Sequence, residues 1–524
     1  MILGSTRDWI KSAFVPRQAT AFSIQSTVVQ PCSNLLSPIS REVSGISEKE
    51  KDEFSEYEID QFRIKEEDDL LNHSFIDVML KVFVRWAGSI AVFCIASLIL
   101  ILWVVIGIVY KAPETWQIIM QDGQSIQCYI WDTLLMRQQL DDSDRFLAFY
   151  GRLKSRFSMH KQLLAEFHRS QKKVHIRSTE TPTVDLAEEN WFDRQATLFS
   201  KILGSAPTII LYWIGVFVWV GCGALKLKTD NDPPYTGRYS GSNPEYVSWS
   251  DVWQMYINTA VAVVLVISSV VLQNVRARNN KFVRNELNKV SLLDSKIEGT
   301  SRYLTGNMEP NKEVEVLPCK RKGFEKVISF YAAIIGSGIG LAISVMVFIV
   351  WLAIGHLMQW NSNWWLIIGT YTGLVGYIDG FTLRETFRAI TAYDEAKFDE
   401  LLDDSQELLT ILGIDYQLQK PSTKFNIQQR ISVYVSNACS SKYSVMASIF
   451  TVVALLAIAS GLKWSVTGQL ICNSPTMIIE GFCLLILIQA HVWADYQRRF
   501  TVRQLAISRT LIARFLDLEV SARR

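Results

Sequence analysis

The sequence predicts an all-α polytopic membrane protein, with about eight transmembrane helices in four quasi-repeated hairpins. Three observations predict it. Eight apolar windows, each near the roughly 20 residues that cross a bilayer core, follow one another in pairs. Basic residues gather in the stretches after each pair and are sparse inside it. A polar segment of helical period then trails every pair, so the unit recurs about four times.

Composition fits this class and excludes others. Of 524 residues, 49% are hydrophobic and 20% charged, and the charges avoid several long windows. The eight cysteines form no CxxC pair, so neither a zinc finger nor a dithiol motif is supported. No HExxH, P-loop or GxSxG motif is present, and an intramembrane enzyme would also need a nucleophile–base pair. The expectation is a protein that is not an enzyme, needs no cofactor and binds no nucleic acid. The N-terminus lacks the apolar core of a signal peptide, which leaves insertion to the first span.

In chain order, residues 1–75 are Ser-rich and then acidic from Ser47 to Asp69, and read as a disordered cytosolic tail. Asn72 opens a glycosylation sequon that this orientation leaves unused. Repeat one (76–200) holds windows Ala87–Tyr110 and Thr115–Arg137; repeat two (201–325) holds Pro207–Leu225 and Val252–Asn274. Repeat three (326–440) holds Ile328–Gly355 and Trp364–Leu383, and repeat four (441–524) holds Tyr443–Leu462 and Pro475–Ala494. The trailing amphipathic helices are expected over 145–168, 281–304, 394–412 and 501–518, on the cytosolic side with both termini. The runs Lys172-Lys173 and Lys320-Arg321-Lys322 hold that orientation against anionic lipid. His160, His168 and His175 read as a solvated helix face. Ala87-Gly88-Ser89, Gly204-Ser205 and Gly336-Ser337 place small residues where helices can approach closely.

Three second helices superpose as Trp116 to Asp122, Trp253 to Thr259 and Trp364 to Thr370; the fourth is expected to follow as Pro475 to Gly481. Trp253, Gln254, Ile257, Asn258 and Thr259, then Gln273-Asn274 before a basic helix, resemble the low-affinity iron permease family. The block Cys128 to Gln139 is similar to its fungal, multi-hairpin branch. Repeat three departs with Gly369 for the asparagine, and repeat four with Glu480 and no tryptophan. The resemblance covers the chain from about Phe75 onward. It implies low-affinity uptake of Fe²⁺, with other divalent metals such as Mn, Co, Cu and Zn, at the plasma membrane.

The residues point the same way independently. A path for a divalent cation needs oxygen, nitrogen or sulfur donors at membrane depth, few enough that the ion leaves again. Gln121, Gln124, Ser125, Cys128 and Asp132 share one helix face, as do Glu480, Cys483 and His491. Thr372, Gly376 and Asp379 form a third face, and Asn258, Ser269 and Gln273 a fourth. The even-numbered helices are thus expected to line a path and the odd-numbered ones to face lipid. Asp122, Thr259, Thr370 and Glu480 are expected at one depth, with Asp132, Gln273, Asp379 and His491 nearer the cytosol. A carboxylate at the bilayer centre costs about 2.5–3.5 kcal/mol even on the lenient insertion scale, which favours a functional role.

Simpler roles stay open for each. Asp132 can pair with Arg137, Asp379 with Arg384, and His491 with backbone; Cys128 and Cys483 can be apolar fillers, and Asn258 and Gln273 interhelical glue. A membrane scaffold or receptor signalling through its cytosolic helices, a permease for a non-metal solute, and homo-oligomerisation also stay open. The expected partners are the transported metal ion and membrane lipid.

Overall fold

A computed structural model describes residues 21–29, 31, 82–83, 86–111, 114–168, 186, 190–225, 227–228, 246–247, 249–420 and 427–523. The acidic stretch Ser47–Asp69, Asn72, Lys172, Lys173 and His175 lie outside the described residues.

Among the described residues the chain is α-helical, with two short ribbons. Helices α1 (Ile90–Tyr110), α2 (Glu114–His168), α3 (Trp191–Leu203), α4 (Ala206–Cys222), α5 (Asp251–Thr305) and α6 (Phe324–Ile335) come first. They are followed by α7 (Gly338–Leu357), α8 (Ser362–Ile411), α9 (Ile427–Cys439), α10 (Lys442–Gly461) and α11 (Val466–Arg523). The second helix of each hairpin does not stop where its apolar window ends. It runs on, unbroken, into the trailing amphipathic segment, giving single helices of 55, 55, 50 and 58 residues. The trailing helices are therefore not separate elements, because no Gly or Pro interrupts either stretch at the junction.

These four long helices form the centre, in ring order α2, α5, α11, α8. The helices divide by burial into inner and outer ones. The apolar windows of α1, α7 and α10 are 11%, 22% and 28% buried, against 61%, 67% and 67% for α5, α8 and α11. Leu98, Ile108, Met346 and Phe450 point outward, as side chains against lipid tails do. Among the described residues six helices are long and apolar enough to cross a membrane, and a seventh span arises if the bent pair α3 and α4, 66° apart, is counted as one. The first half of α2, the remaining expected span, is buried between α5 and α8 and carries Gln117, Gln121, Asp122 and Gln124.

Three hairpins are closed by one device. Trp103 stacks on Trp116, Trp219 on Trp253 and Trp351 on Trp364, with ring centroids 3.8, 3.8 and 4.3 Å apart and planes within 4°. In each pair both indole N–H groups donate to the other residue's carbonyl, at 2.7–3.1 Å. These carbonyls belong to different helices, so an indole stack and two hydrogen bonds tie each hairpin at one end.

Before three of the outer spans lies a separate short helix that the apolar windows did not set apart. The amphipathic helices α3, α6 and α9 end at Gly204-Ser205, Gly336-Ser337 and Ser440-Ser441, and the serines open α4, α7 and α10. The expected close approach occurs here. A Cβ on Gly88 would lie 2.9 Å from the Gln273 carbonyl of α5, one on Gly204 3.1 Å from Gln489 Cα of α11, and one on Gly336 3.3 Å from Arg137 N of α2. Arg388 of α8 donates to the Ser440 carbonyl at 2.9 Å. The outer elements thus lean one step around the ring in a constant sense: repeat one on two, two on four, four on three and three on one.

Beyond the end opposite the tryptophan stacks, the four long helices continue as a bundle with apolar layers. One layer gathers Phe146, Tyr150, Val290, Phe398, Leu402 and Val502, and the next Leu164, Ile297, Leu408, Leu412 and Ile512. A strand, β1 (Phe22–Ile24), pairs antiparallel with β4 (Val314–Val316) in register Phe22↔Val316 and lies on α2. The other ribbon joins β2 (Leu227–Lys228) to β3 (Tyr246–Val247). Part of the stretch expected to be disordered is therefore ordered. Phe22 and Ile24 alternate with Ser23, and Ile24 and Ser26 are buried. The expectation of a solvated His160 is also corrected, since that side chain is fully buried beside Asp294.

Candidate functional site

The four central helices share one register. Ile118, Met255, Leu366 and Leu470 form a single buried cluster, and they stand two residues after Trp116, Trp253, Trp364 and Gly468. The chain geometry around Gly468 agrees. Trp464 N donates to Ala459 O as Trp360 N does to Gly355 O and Trp249 N to Gly223 O, and all three tryptophans have φ between 53° and 59°. Repeat four therefore superposes as Gly468-Gln-Leu-Ile-Cys-Asn-Ser474, and the expected superposition on Pro475 to Gly481 is off by seven residues. Pro475 suggested a helix start. It sits instead inside α11, whose first turns precede it.

This register regroups the candidates into layers. Five and six residues after the reference positions stand Gln121-Asp122, Asn258-Thr259, Gly369-Thr370 and Asn473-Ser474. Gln121 Nε2 donates to Thr259 Oγ1 at 3.2 Å and Met255 O at 3.5 Å, bridging α2 and α5. Asp122, 4% exposed, lies against Gly369: a Cβ there would stand 2.7 Å from Asp122 Oδ1 and 3.9 Å from Asn473 Nδ2. The departure at Gly369 thus makes room for donors from α2 and α11. Asp122 Oδ2, Gln121 Oε1, Gln124 Oε1, both amide atoms of Asn258, Thr370 Oγ1, Asn473 Oδ1 and Ser474 Oγ are buried without a hydrogen-bond partner among the described residues.

Glu480 does not join Asp122. It stands twelve residues after Gly468, level with Cys128 and about 9 Å further along the axis. There Cys128, Asp132, Ser269, Arg384, Glu480 and Cys483 line a cavity of about 40 Å³. Gln124 Nε2 donates to Cys128 Sγ at 2.9 Å, which links the two layers along α2.

The simpler roles divide. Arg137 pairs with Asp141 at 3.1 Å and donates to Gly336 O, so it does not serve Asp132. Asp379 accepts from Tyr331 Oη at 2.7 Å rather than from Arg384. Gln273 is buried with its Nε2 unpartnered, whereas Asn274 is interhelical glue, donating to Gly88 O and Asp193 Oδ1 at 3.2 Å. His491 does take the backbone role: Nδ1 lies 2.8 Å from Leu487 O and the ring stacks on Phe387. The eleven residues between Glu480 and His491 separate them by about 16 Å, so the common face does not make a common site. Among the described residues no three His, Cys, Asp or Glu side chains converge as a ligand set.

Sequence reasoning passed over Asn473 and Ser474 and gave Arg384 only as a partner for Asp379. The first two had a signal: Trp464, Gln469 and Asn473 reproduce the spacing of Trp249, Gln254 and Asn258.

Comparison with known proteins supplies the family. The low affinity iron permease family matches residues 324–416 and 428–523. A low-affinity Fe(2+) transport protein of Saccharomyces cerevisiae is 45% identical over 464 residues, covering 85% of this chain and 84% of that protein. The low-affinity iron/zinc ion transport protein fet4 of Schizosaccharomyces pombe is 37% identical over 458 residues, covering 86% and 75%. No solved structure matches. On this identity and coverage, the chain belongs to the low-affinity iron permease family.

Proposed function

We propose that this protein carries out low-affinity uptake of Fe²⁺ along the axis of its four central helices. The observation that carries the reading is the column of buried oxygen and amide atoms without partners between α2, α5, α8 and α11. An unpaired polar atom in hydrocarbon is costly, and a passing hydrated cation relieves that cost. Asp122 with Asn258 and Asn473 forms an outer station; Glu480, Asp132 and Cys128 form an inner one. The stations stand more than a turn apart, so the ion meets few donors at once, keeps part of its water and moves on. Oxygen-rich stations of this kind also take other divalent metals, including Mn, Co and Zn.

We read the long bundle and both termini as cytosolic and the end with the tryptophan stacks as outside, at the plasma membrane; the basic stretches after each hairpin support this orientation. The test is uptake of radiolabelled Fe²⁺ in cells lacking their own iron transporters, with surface abundance measured alongside. Asp122→Asn and Glu480→Gln are expected to lose saturable uptake at unchanged abundance. No uptake by well-expressed wild type would overturn the reading and leave a scaffold.

A further inference from the structure

The inner cavity holds a fixed positive charge. Arg384 is 2% exposed and lines the same space as Asp132, Glu480, Cys128 and Cys483. Its side chain does not run outward to solvent, as an arginine at the end of a span normally does. It folds back one turn along α8: a Cβ on Gly380 would lie 4.0 Å from Arg384 Nη2, and the guanidinium stands 4.7 Å from the Phe381 ring centroid. Gly380 and Asp132 are both sixteen residues past their reference tryptophans, so the guanidinium sits in the layer of Asp132. Arg384 Nε and Nη2 are buried without a hydrogen-bond partner among the described residues. The neighbour that pairing on one helix would offer, Asp379, accepts from Tyr331 through Oδ1 and makes no ion pair with Arg384 among the described residues, its Oδ2 being buried without a partner.

A guanidinium packed this way, with unused donors facing a cavity that two carboxylates share, is not an orientation anchor. We propose that Arg384 is a tethered counter-cation at the inner station, balancing Asp132 and Glu480 when no metal is present and competing with the arriving divalent ion. Resting on the permease reading, this assigns to Arg384 the weakness of metal binding and the readiness of release. A metal ion entering the cavity meets a fixed positive charge within one side-chain length, and that repulsion is strong in a site screened from water. The single positive charge also offsets one of the two carboxylates of the empty cavity, which lowers the cost of holding them in the membrane.

The experiment is concentration-dependent uptake of radiolabelled Fe²⁺ by wild type, Arg384→Gln and Arg384→Lys, normalised to surface abundance. Arg384→Gln is expected to lower KM about tenfold and to lower Vmax, because the ion binds more tightly and leaves more slowly. Arg384→Lys keeps the charge and is expected to keep KM within about threefold of wild type. Where Arg384→Gln does not reach the surface, Arg384→Met, which keeps the apolar stem against Phe381, takes its place with the same expectation. Saturable wild-type uptake with an unchanged or raised KM in the neutral variants would overturn the counter-cation role alone. Absence of wild-type uptake would overturn the permease reading and this role with it.

Discussion

Gly369→Ala tests the outer station through a single methyl group. An alanine Cβ at this position would stand 2.7 Å from Asp122 Oδ1, whereas ordinary contact begins at 3.4 Å, so the carboxylate must retreat by about 0.7 Å. The obstacle is the far end of a flexible side chain, and the fold is expected to absorb it; alanine also favours the helix by about 0.8–1 kcal/mol over glycine. The cost falls on the ion. Coulomb attraction between a divalent cation and one carboxylate drops by about 3–4 kcal/mol at an effective dielectric of about 20 when the separation grows from about 2.2 Å by that amount. The ion can follow the carboxylate part of the way, leaving about 1.4 kcal/mol, or about tenfold in KM. The assay is Fe²⁺ uptake against concentration, with Gly376→Ala as control. Gly376 lies seven residues further along the same helix and has nothing within 4 Å of its added Cβ. A raised KM in Gly369→Ala alone, at equal abundance, is expected. Equal KM in both variants would refute the placement of Asp122 on the path.

Three further outcomes are expected. Trp364→Leu removes an indole stack and the donation to Trp351 O, and should cost about 2 kcal/mol, read as a lower Tm in detergent while Trp249→Leu, which lies only edge-on to its neighbour, costs less. His160 is fully buried beside Asp294, with Arg509, Arg156 and Glu298 around it, and burial lowers its pKa from 6.5. The folded state therefore binds a proton less readily than the unfolded chain, and this residue's contribution to stability is lost as pH falls below about 6.5. Thermal stability of His160→Met should fall less between pH 7 and pH 5 than that of wild type; parallel curves would refute this. Deleting the chain through Val29 removes β1 and the Val29 N–H that Glu298 accepts at 3.2 Å, and should expose α2 to proteolysis near Arg152, whose carbonyl Ser26 now covers.

How much was legible follows from which forces act locally. The all-α membrane class and the division into buried inner and exposed outer helices were legible because hydrocarbon sorts side chains one residue at a time, as in α1 against α5. The register of repeat four was not, because it rests on backbone geometry at Trp464 while Pro475 carries a louder local signal. Glu480 was consequently placed beside Asp122 instead of Cys128. The strand Phe22–Ile24 was hidden since its partner lies almost three hundred residues away and its three residues carry too little periodicity. Arg384 read as a partner for Asp379; the fold of its side chain back along Gly380, which no local pattern signals, separates the two.

The constant lean of the outer elements has a consequence for how the molecule is made. Repeat one closes against α5, but α2 receives its covering elements from repeat three, and α4, tied to α5 at Trp219, gains its seat on α11 only when that helix emerges. During synthesis from the N-terminus, the second hairpin must wait in the bilayer with Gly204 and Tyr212 facing the place that Gln489 and Ile478 will fill. The last helix made is the one that closes the circle. A chain cut before it would leave three hairpins around an open side, with the faces of α5 and α8 that α11 covers turned to the bilayer.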